Sequence, residues 1–380
     1  MILIKQERIM NMQTSSRLKV KSGVEHGAIK GRGTPVNPPN RFDRERVEAF
    51  DDGWDLPEED TARPQTTLIR DASKTIIARN DSPDISFTQS VNPYRGCEHG
   101  CIYCFARPSH AYLGFSAGLD FETKIIFKPE AARLLEKELS RASYKPSVIV
   151  LGSNTDPYQP VERTLSLTRS VLEVLERFSH PVGIVTKSAG VLRDADILAR
   201  MAKRNLAKVH ISITTLDPAL ARALEPRAAS PQRRLVAVRE LREAGIPVGV
   251  MASPMIPGVN DAELESILEE SARAGAQSAH TTLLRLPHEL SGLFSDWLQK
   301  HLPDRASHVL SLIRQSRGGR LNDPDFHSRF TGSGPYVDML QKRFERATRQ
   351  FGLEGGASTL DCSQFTVPSQ RQASAQMNLF

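Results

Sequence analysis

Cysteine is scarce in this 380-residue chain: there are only four. Three of them crowd into one stretch, which speaks against a disulfide framework and for a reducing compartment. The start, Met1-Ile-Leu-Ile-Lys-Gln-Glu-Arg8, lacks the apolar core of a secretory signal, and no later run is long enough to cross a bilayer. A cytoplasmic protein with no membrane partner is the expectation. No paired CxxC or HxxxH follows the cysteine group, so the fourth ligand of a structural zinc site is missing. No internal repeat is evident beyond a strand–helix period. Charge is not strongly one-sided: the formal +6 and pI near 9.2 favour a polyanionic partner such as nucleic acid. Bases and acids are interspersed, however, as they are in many mildly basic enzymes.

The cysteine group is Asn92-Pro-Tyr-Arg-Gly-Cys97-Glu-His-Gly-Cys101-Ile-Tyr-Cys104-Phe-Ala-Arg107, a CxxxCxxC array in a loop loosened by Gly96 and Gly100. Three thiolates suit a [4Fe–4S] cluster with three irons held by protein and one left open. His99, inside the first spacer, reads as a loop histidine rather than a fourth ligand.

CxxxCxxC with an aromatic, Tyr103, just before the third cysteine is identified as the signature of the radical S-adenosylmethionine (SAM) family. The resemblance implies that Cys97, Cys101 and Cys104 ligate the cluster, that the SAM amine and carboxylate chelate the open iron, and that Tyr103 lies near the adenine. It also implies an enzyme that cleaves SAM to a 5′-deoxyadenosyl radical with an electron from a donor such as flavodoxin or ferredoxin. From the residues alone, a non-catalytic nucleic-acid-binding protein with a structural metal at the three cysteines stays open.

Residues 1–80 are polar, carry Pro35, Pro38, Pro39, Pro57 and Pro64, and read as an extended or disordered arm. Its part from Thr34 to Phe42 is the piece that would wrap the domain or reach a substrate. From about residue 84 to 290, short β-branched runs (85–91, 147–152, 182–186, 209–214, 248–252, 280–284) alternate with amphipathic helical runs (129–141, 165–178, 195–204, 231–244, 262–274). Pro129 and Pro231 suit first turns and Gly245 a helix end. Repeated strand–helix units give an α/β fold, a partial (β/α)6 TIM-type barrel with its chemistry at the carboxyl ends of the strands. The radical SAM core resembles such a barrel. Residues 291–380 read as helices (290–301, 305–314, 336–351) that cover the open side, then a polar tail.

Polar clusters lie just past the strand runs. Ser153, Asn154, Thr155 and Asp156 supply hydroxyl, amide and carboxylate groups after the second, and Tyr158 and Gln159 exceed what a turn requires. Lys187 ends the third, where it can pair with a carboxylate. Ser212 and Thr214 alternate with Ile211 and Ile213 on the fourth, and Glu225-Pro-Arg227 with Arg234 follows.

The runs Val185-Thr-Lys187, Ser212-Ile213 and Glu225-Pro226 resemble, in order, stretches of the spore photoproduct lyase branch. By that similarity Lys187 and Ser212 contact SAM; Ser153 and Asn154, by their place past the second strand run, are further candidates for SAM contact, and Asp156 and Tyr158 are the catalytic candidates. Two departures stand out: Ser153 and Phe105 occupy positions where that lyase carries a hydrogen-donor cysteine and a tyrosine, so repair of a thymine dimer is not expected. Cys362 is left over, and four cysteines cannot hold a second all-cysteine cluster.

Overall fold

The structure is a computed structural model that describes residues 31–43, 64–355 and 359–368. The basic stretch 17–30, the acidic stretch 48–60 with Trp54, and the closing 376–380 lie outside the described residues. Ten strands are described: β1 (Thr67–Arg70), β2 (Ile77–Arg79), β3 (Gln89–Val91), β4 (Tyr94–Arg95), β5 (Lys124–Phe127), β6 (Ile149–Leu151), β7 (Val182–Thr186), β8 (Ala207–Ser212), β9 (Val248–Met255) and β10 (Ser278–Leu283). Seven form one sheet in the order β10-β9-β8-β7-β6-β3-β2. Its six strands from β3 to β10 are parallel, and β2 pairs antiparallel at the edge. Among the described residues β2 and β10 do not pair with each other. The remaining three strands form a small sheet, β1-β5-β4, beside the cysteine loop.

Alternation along the strands decides which side chains meet the core. Ile149, Leu151, Val182, Ile184, Val209, Ile211, Val248 and Val250 are fully or almost fully buried against the helices. The helix Leu167–Arg177 answers with Val171, Leu172, Val174 and Leu175, each contributing about 1.5–3 kcal/mol on leaving water. Pro231 opens the helix Pro231–Glu243, whose Ser230 hydroxyl accepts the Arg233 N–H. Gly245 follows it with φ 78°, the conformation that only glycine adopts without strain.

Three boundaries differ from expectation. The helix read over 165–178 is broken by Ser166 at φ 50°, which separates Glu162–Leu165 from Leu167–Arg177. Pro129 precedes the helix Ala131–Leu139 rather than opening it. The first strand begins only at Gln89, because Asn80 donates from its side chain to the Phe87 carbonyl and from its backbone to that of Thr88, holding the preceding residues in a loop.

The described pieces of the expected arm are built into the fold. β1 pairs with β5 and β2 with β3, while residues 33–41 run over the cysteine loop: Leu119 N–H donates to Val36, the Asn40 amide to Ala111, and Arg41 pairs with Glu289 at 2.9 Å. No apolar period marks this wrapping segment, because the contacts that hold it are hydrogen bonds and an ion pair. The helices Leu290–His301 and Pro303–Gln315 pack Leu293, Phe294, Trp297 and Ile313 onto Ile102, Tyr103, Leu224 and Ile256, beside the cysteine loop. Pro335–Gln350 lies along Leu264–Arg273, with Arg343 and Glu265 at 2.6 Å.

At the amino end of β7, His180 is buried with Nε2 2.7 Å from the Tyr144 hydroxyl and Nδ1 3.0 Å from the Pro181 carbonyl. Burial lowers its pKa from 6.5 to about 4, against a smaller upward pull from the Pro181 carbonyl. A folded-state pKa below the unfolded one means that stability is complete above pH 6.5 and declines as pH falls toward about 4. Urea midpoints measured across that window should fall with pH, and His180→Gln should flatten the decline.

Candidate active site

Gly96 and Gly100 hold φ of 80° and 68°, letting the chain double back between Asn92 and Cys104; a Cβ on Gly100 would meet the Glu122 carboxylate at 2.6 Å. The loop hangs on backbone bonds, Cys97 N–H to Phe121 at 2.9 Å and Ile102 N–H to Leu224 at 3.0 Å. Arg107, wholly buried, donates to the carbonyls of Cys101 (2.8 Å), Gly100 (3.0 Å) and Gly118 (3.0 Å) and pairs with Glu122 at 2.5 Å. Glu122 also accepts the N–H groups of Gly33 and Thr34, at 2.9 and 3.3 Å.

All three cysteines are free; Cys97 and Cys101 are buried and Cys104 half-buried. Burial, with the Asp156 charge next, pushes the Cys97 thiol well up; burial, with Glu225 next, does the same for Cys101. Such a site holds thiolates only when a cationic centre compensates them, which is the chemistry of a metal-bound cysteine set. Among the described residues, no group of three or more His, Cys, Asp or Glu is placed to hold a single metal ion.

The Tyr103 hydroxyl is fixed by a buried network. It donates to Glu225 and lies 3.1 Å from the Thr214 hydroxyl, which itself donates to Glu225 at 2.7 Å. Arg234 pairs with Glu225 and donates to the Ser212 carbonyl at 3.0 Å. Burial alone would raise the Glu225 pKa, but the charges of Arg234 and Lys187 and its hydrogen bonds hold it at about 2. Lys187 is half-buried and stands with Nζ 5.7 Å from the Tyr103 ring centre. Among the described residues it forms no salt bridge, although its charge reaches both Cys101 and Glu225.

The loop after β6 starts at Gly152, where φ is 86° and a Cβ would sit 2.0 Å from the Val185 carbonyl oxygen. Beyond it the Ser153 hydroxyl accepts from the Asn92 side chain at 3.3 Å, and Asn154 N–H donates to Asn92 at 3.2 Å. Asp156 is occupied on both oxygens: by the Thr186 hydroxyl (2.7 Å) and Tyr158 N–H (2.9 Å) on one, and Lys187 N–H (2.8 Å) on the other. His99 Nδ1 approaches at 3.3 Å, near enough for charge attraction but without hydrogen-bond alignment. Burial opposes ionisation, yet the His99 charge and these donors bring the Asp156 pKa to about 2. Tyr158 is buried, and its hydroxyl lies by Asp194 without a hydrogen bond of good geometry. Asp156 thus braces the end of β7 against the cysteine loop.

Sequence reasoning found Ser212 but missed what lies beneath it. Two residues back along β8 on the same face is His210, and two more back is Lys208. Gly249 clears space for His210, where a Cβ would come within 2.5 Å of the ring, and His280 on β10 meets His210 with ring centres 5.3 Å apart. Extending the noted Ser212/Thr214 alternation backwards would have found them. Phe105 is half exposed. Cys362 lies beside the Val148 backbone, next to Asp361, whose N–H donates to Asn205. That is the amino end of the strands, opposite the cysteine loop.

Residues 91–270 match the model of the Radical SAM superfamily. A protein of Mycobacterium tuberculosis named only as uncharacterised is 36% identical over 278 residues, spanning 71% of this chain and 76% of its own. The chain belongs to the radical SAM superfamily. Its cofactors are accordingly a [4Fe–4S] cluster and SAM, and the buried, free cysteine triad fits the first. A radical SAM Nα-GlyT isomerase of Pseudomonas phage M6 is 22% identical over 262 residues, covering 68% of this chain and 52% of its own. Spore photoproduct lyase, solved with a dinucleoside spore photoproduct, shares the fold of this radical SAM chain: TM-score 0.53, 18% identity, 75% of this chain and 79% of the lyase. Among the described residues no helix is long and apolar enough to cross a membrane.

Glu225→Ala should destabilise the fold by about 3–5 kcal/mol, because it leaves the Arg234 guanidinium buried without its partner. Chemical unfolding of the apoprotein measures this, and adding Arg234→Met should recover much of the loss.

Proposed function

We propose that this radical SAM enzyme holds its cluster through Cys97, Cys101 and Cys104, cleaves SAM reductively, and acts on a nucleic-acid substrate. The observation that carries the SAM site is Lys187: a half-buried ammonium without a salt-bridge partner among the described residues, over the Tyr103 ring and with its charge reaching Cys101. When bound, the reduced cluster supplies the electron that splits SAM into methionine and a 5′-deoxyadenosyl radical. The protein's part is orientation. Lys187 pairs with the SAM carboxylate, Tyr103, locked through its hydroxyl, offers a fixed wall to the adenine, and Ser153, Asn154 and Ser212 supply polar contacts along the mouth of the barrel. Asp156 and Tyr158 are positioning residues: Asp156 sets the backbone of Lys187 and the approach of His99, so it fixes both edges of the SAM pocket without meeting the radical.

The substrate class rests on the basic charge, on the lyase and phage relatives named above, and on the polar inner face with His210, His280 and Lys208. Ser153 and Phe105, poor hydrogen donors to a carbon radical, speak against spore photoproduct itself. A separate electron donor, such as flavodoxin or ferredoxin, and a cytoplasmic setting complete the reading, with residues 84–290 as the catalytic core. The test is anaerobic turnover with dithionite and SAM, with and without oligonucleotides, following 5′-deoxyadenosine. Stimulation by one polymer supports the reading, and SAM cleavage indifferent to every polymer removes the nucleic-acid part.

Changing Cys97, Cys101 or Cys104 to Ala should each lower bound iron and abolish SAM cleavage, while Cys362→Ala keeps its iron; iron analysis after reconstitution reads the difference. Lys187→Met should weaken SAM binding by about 1.5–3 kcal/mol, the range for a charge-assisted hydrogen bond, with cluster absorbance unchanged. An unaltered SAM dissociation constant would leave the carboxylate without its proposed partner.

A further inference from the structure

Past β10 the chain continues as Leu284-Arg285-Leu286 at the carboxyl end of the strands, the end that also carries the cysteine loop, Asp156 and Lys187. Arg285 is half-buried, and its Nε is shut away from solvent without a hydrogen-bond partner. Among the described residues its side chain forms no ion pair and no hydrogen bond. The guanidinium rests on the Phe330 ring, with Cζ 4.7 Å from the ring centre, a contact that spends none of its N–H donors. Its neighbours are further arginines. Arg317, only 3% exposed, donates to the carbonyls of Leu284 (2.6 Å) and Arg329 (2.9 Å), and its Nε is likewise unpartnered. Arg329 stands on Phe326 and Phe330 and donates to both oxygens of Asp84, at 2.5 and 2.7 Å. Asp84 also accepts the His327 N–H at 3.2 Å. Asp323, the other acid whose charge reaches Arg285, accepts the Asp325 N–H at 3.0 Å. Burial lowers the pKa of Arg285, with the Arg329 charge next and the upward pulls of Asp84 and Asp323 behind it.

We propose that Arg285 is the seat of a phosphate group, a phosphodiester of the nucleic-acid substrate. The assignment rests on the nucleic-acid reading above. A guanidinium partly withdrawn from water with a buried donor unsatisfied destabilises the fold, and Asp84 is already taken up by Arg329 and His327. A phosphate brings both the missing charge and several acceptor oxygens, which arginine meets with paired N–H groups. The seat is also rigid. Arg317 ties the carbonyls of Ser328 and Arg329 to those of Leu283 and Leu284 at the end of β10, while Arg329 ties the same segment to the loop between β2 and β3 through Asp84. Phe330 is thereby held in place under Arg285, and the plane of its guanidinium is set before any ligand arrives. Phe326, 52% exposed beside Arg329, offers a ring on which an unstacked base can lie. An acidic peptide has no need of that ring, so the pairing of arginine and aromatic favours a nucleotide.

The test uses the reconstituted holoenzyme. Binding of a labelled single-stranded oligonucleotide, read by fluorescence anisotropy, should weaken by about tenfold or more in Arg285→Gln, and the salt dependence of the affinity should fall by about one phosphate contact. Arg346→Gln, which removes an exposed charge on the helix Pro335–Gln350, should leave the affinity unchanged. Inorganic phosphate should show a broadened phosphorus NMR signal with the wild type and a sharp one with Arg285→Gln. The variant should keep the wild-type urea midpoint, because Arg285 forms no hydrogen bond or ion pair for its loss to break. Equal oligonucleotide affinity in Arg285→Gln and the wild type overturns the proposal, as does an equal loss in Arg346→Gln, which would reduce the effect to net charge. A variant that unfolds at lower urea while losing both ligands makes Arg285 a structural residue and overturns it too, and so does binding of oligoglutamate as tight as that of the oligonucleotide. Phosphate bound through Arg285 with no oligonucleotide bound by the wild type overturns the nucleic-acid reading instead and keeps the seat for a small phosphate ester.

Discussion

The buried pair of Arg107 and Glu122 is the contact on which the cysteine loop depends. A guanidinium and a carboxylate without exposed surface cost several kcal/mol each to desolvate, and the cost is offset only because nearly every polar atom they carry is used. Arg107 spends its donors on carbonyls of the loop and of the turn before Leu119, and Glu122 takes Arg107 together with two N–H groups from the N-terminal segment. Three remote pieces of chain thus converge on one charge pair. Gly33 can join them because it has no side chain: a Cβ there would fall 1.9 Å from the Gly100 carbonyl oxygen.

A second buried carboxylate does the same for the opposite edge of the site. Glu225 gathers Tyr103, Thr214 and Arg234, so the aromatic residue of the cysteine motif is anchored to β8 and to the helix that follows it. With Asp156 bracing β7, the ends of β7 and β8 each carry one ionised, saturated acid. Their role is rigidity: a group that already accepts two or three hydrogen bonds has little left to offer a substrate.

Much of this was legible in the sequence, for physical reasons that differ from residue to residue. The β-branched runs of β6 to β9 announce themselves because most of their side chains are buried, and the cysteine spacing is diagnostic because few chemistries need three thiolates so close. Lys187 and Ser212 were singled out by position, one at the end of a strand and the other by alternation. The hubs were harder to read, since nothing local distinguishes Glu122 or Asp156 from a surface acid; their partners are remote in sequence. The strands β1 and β2 in the N-terminal segment went unread for a similar reason, since no hydrophobic period marks them.

The ladder of Lys208, His210 and Ser212 also sets a scale. Four residues of strand rise about 13 Å, so the face of β8 below Ser212 has the depth of one nucleotide rather than the breadth of a paired helix. For a nucleic-acid substrate this imposes a geometric condition that charge does not: the reacting base must leave its stack and enter the barrel alone, its neighbours staying outside on the rim. Damaged, mismatched or single-stranded positions pay least for that excursion, and selectivity would begin there, before any side chain has read the base.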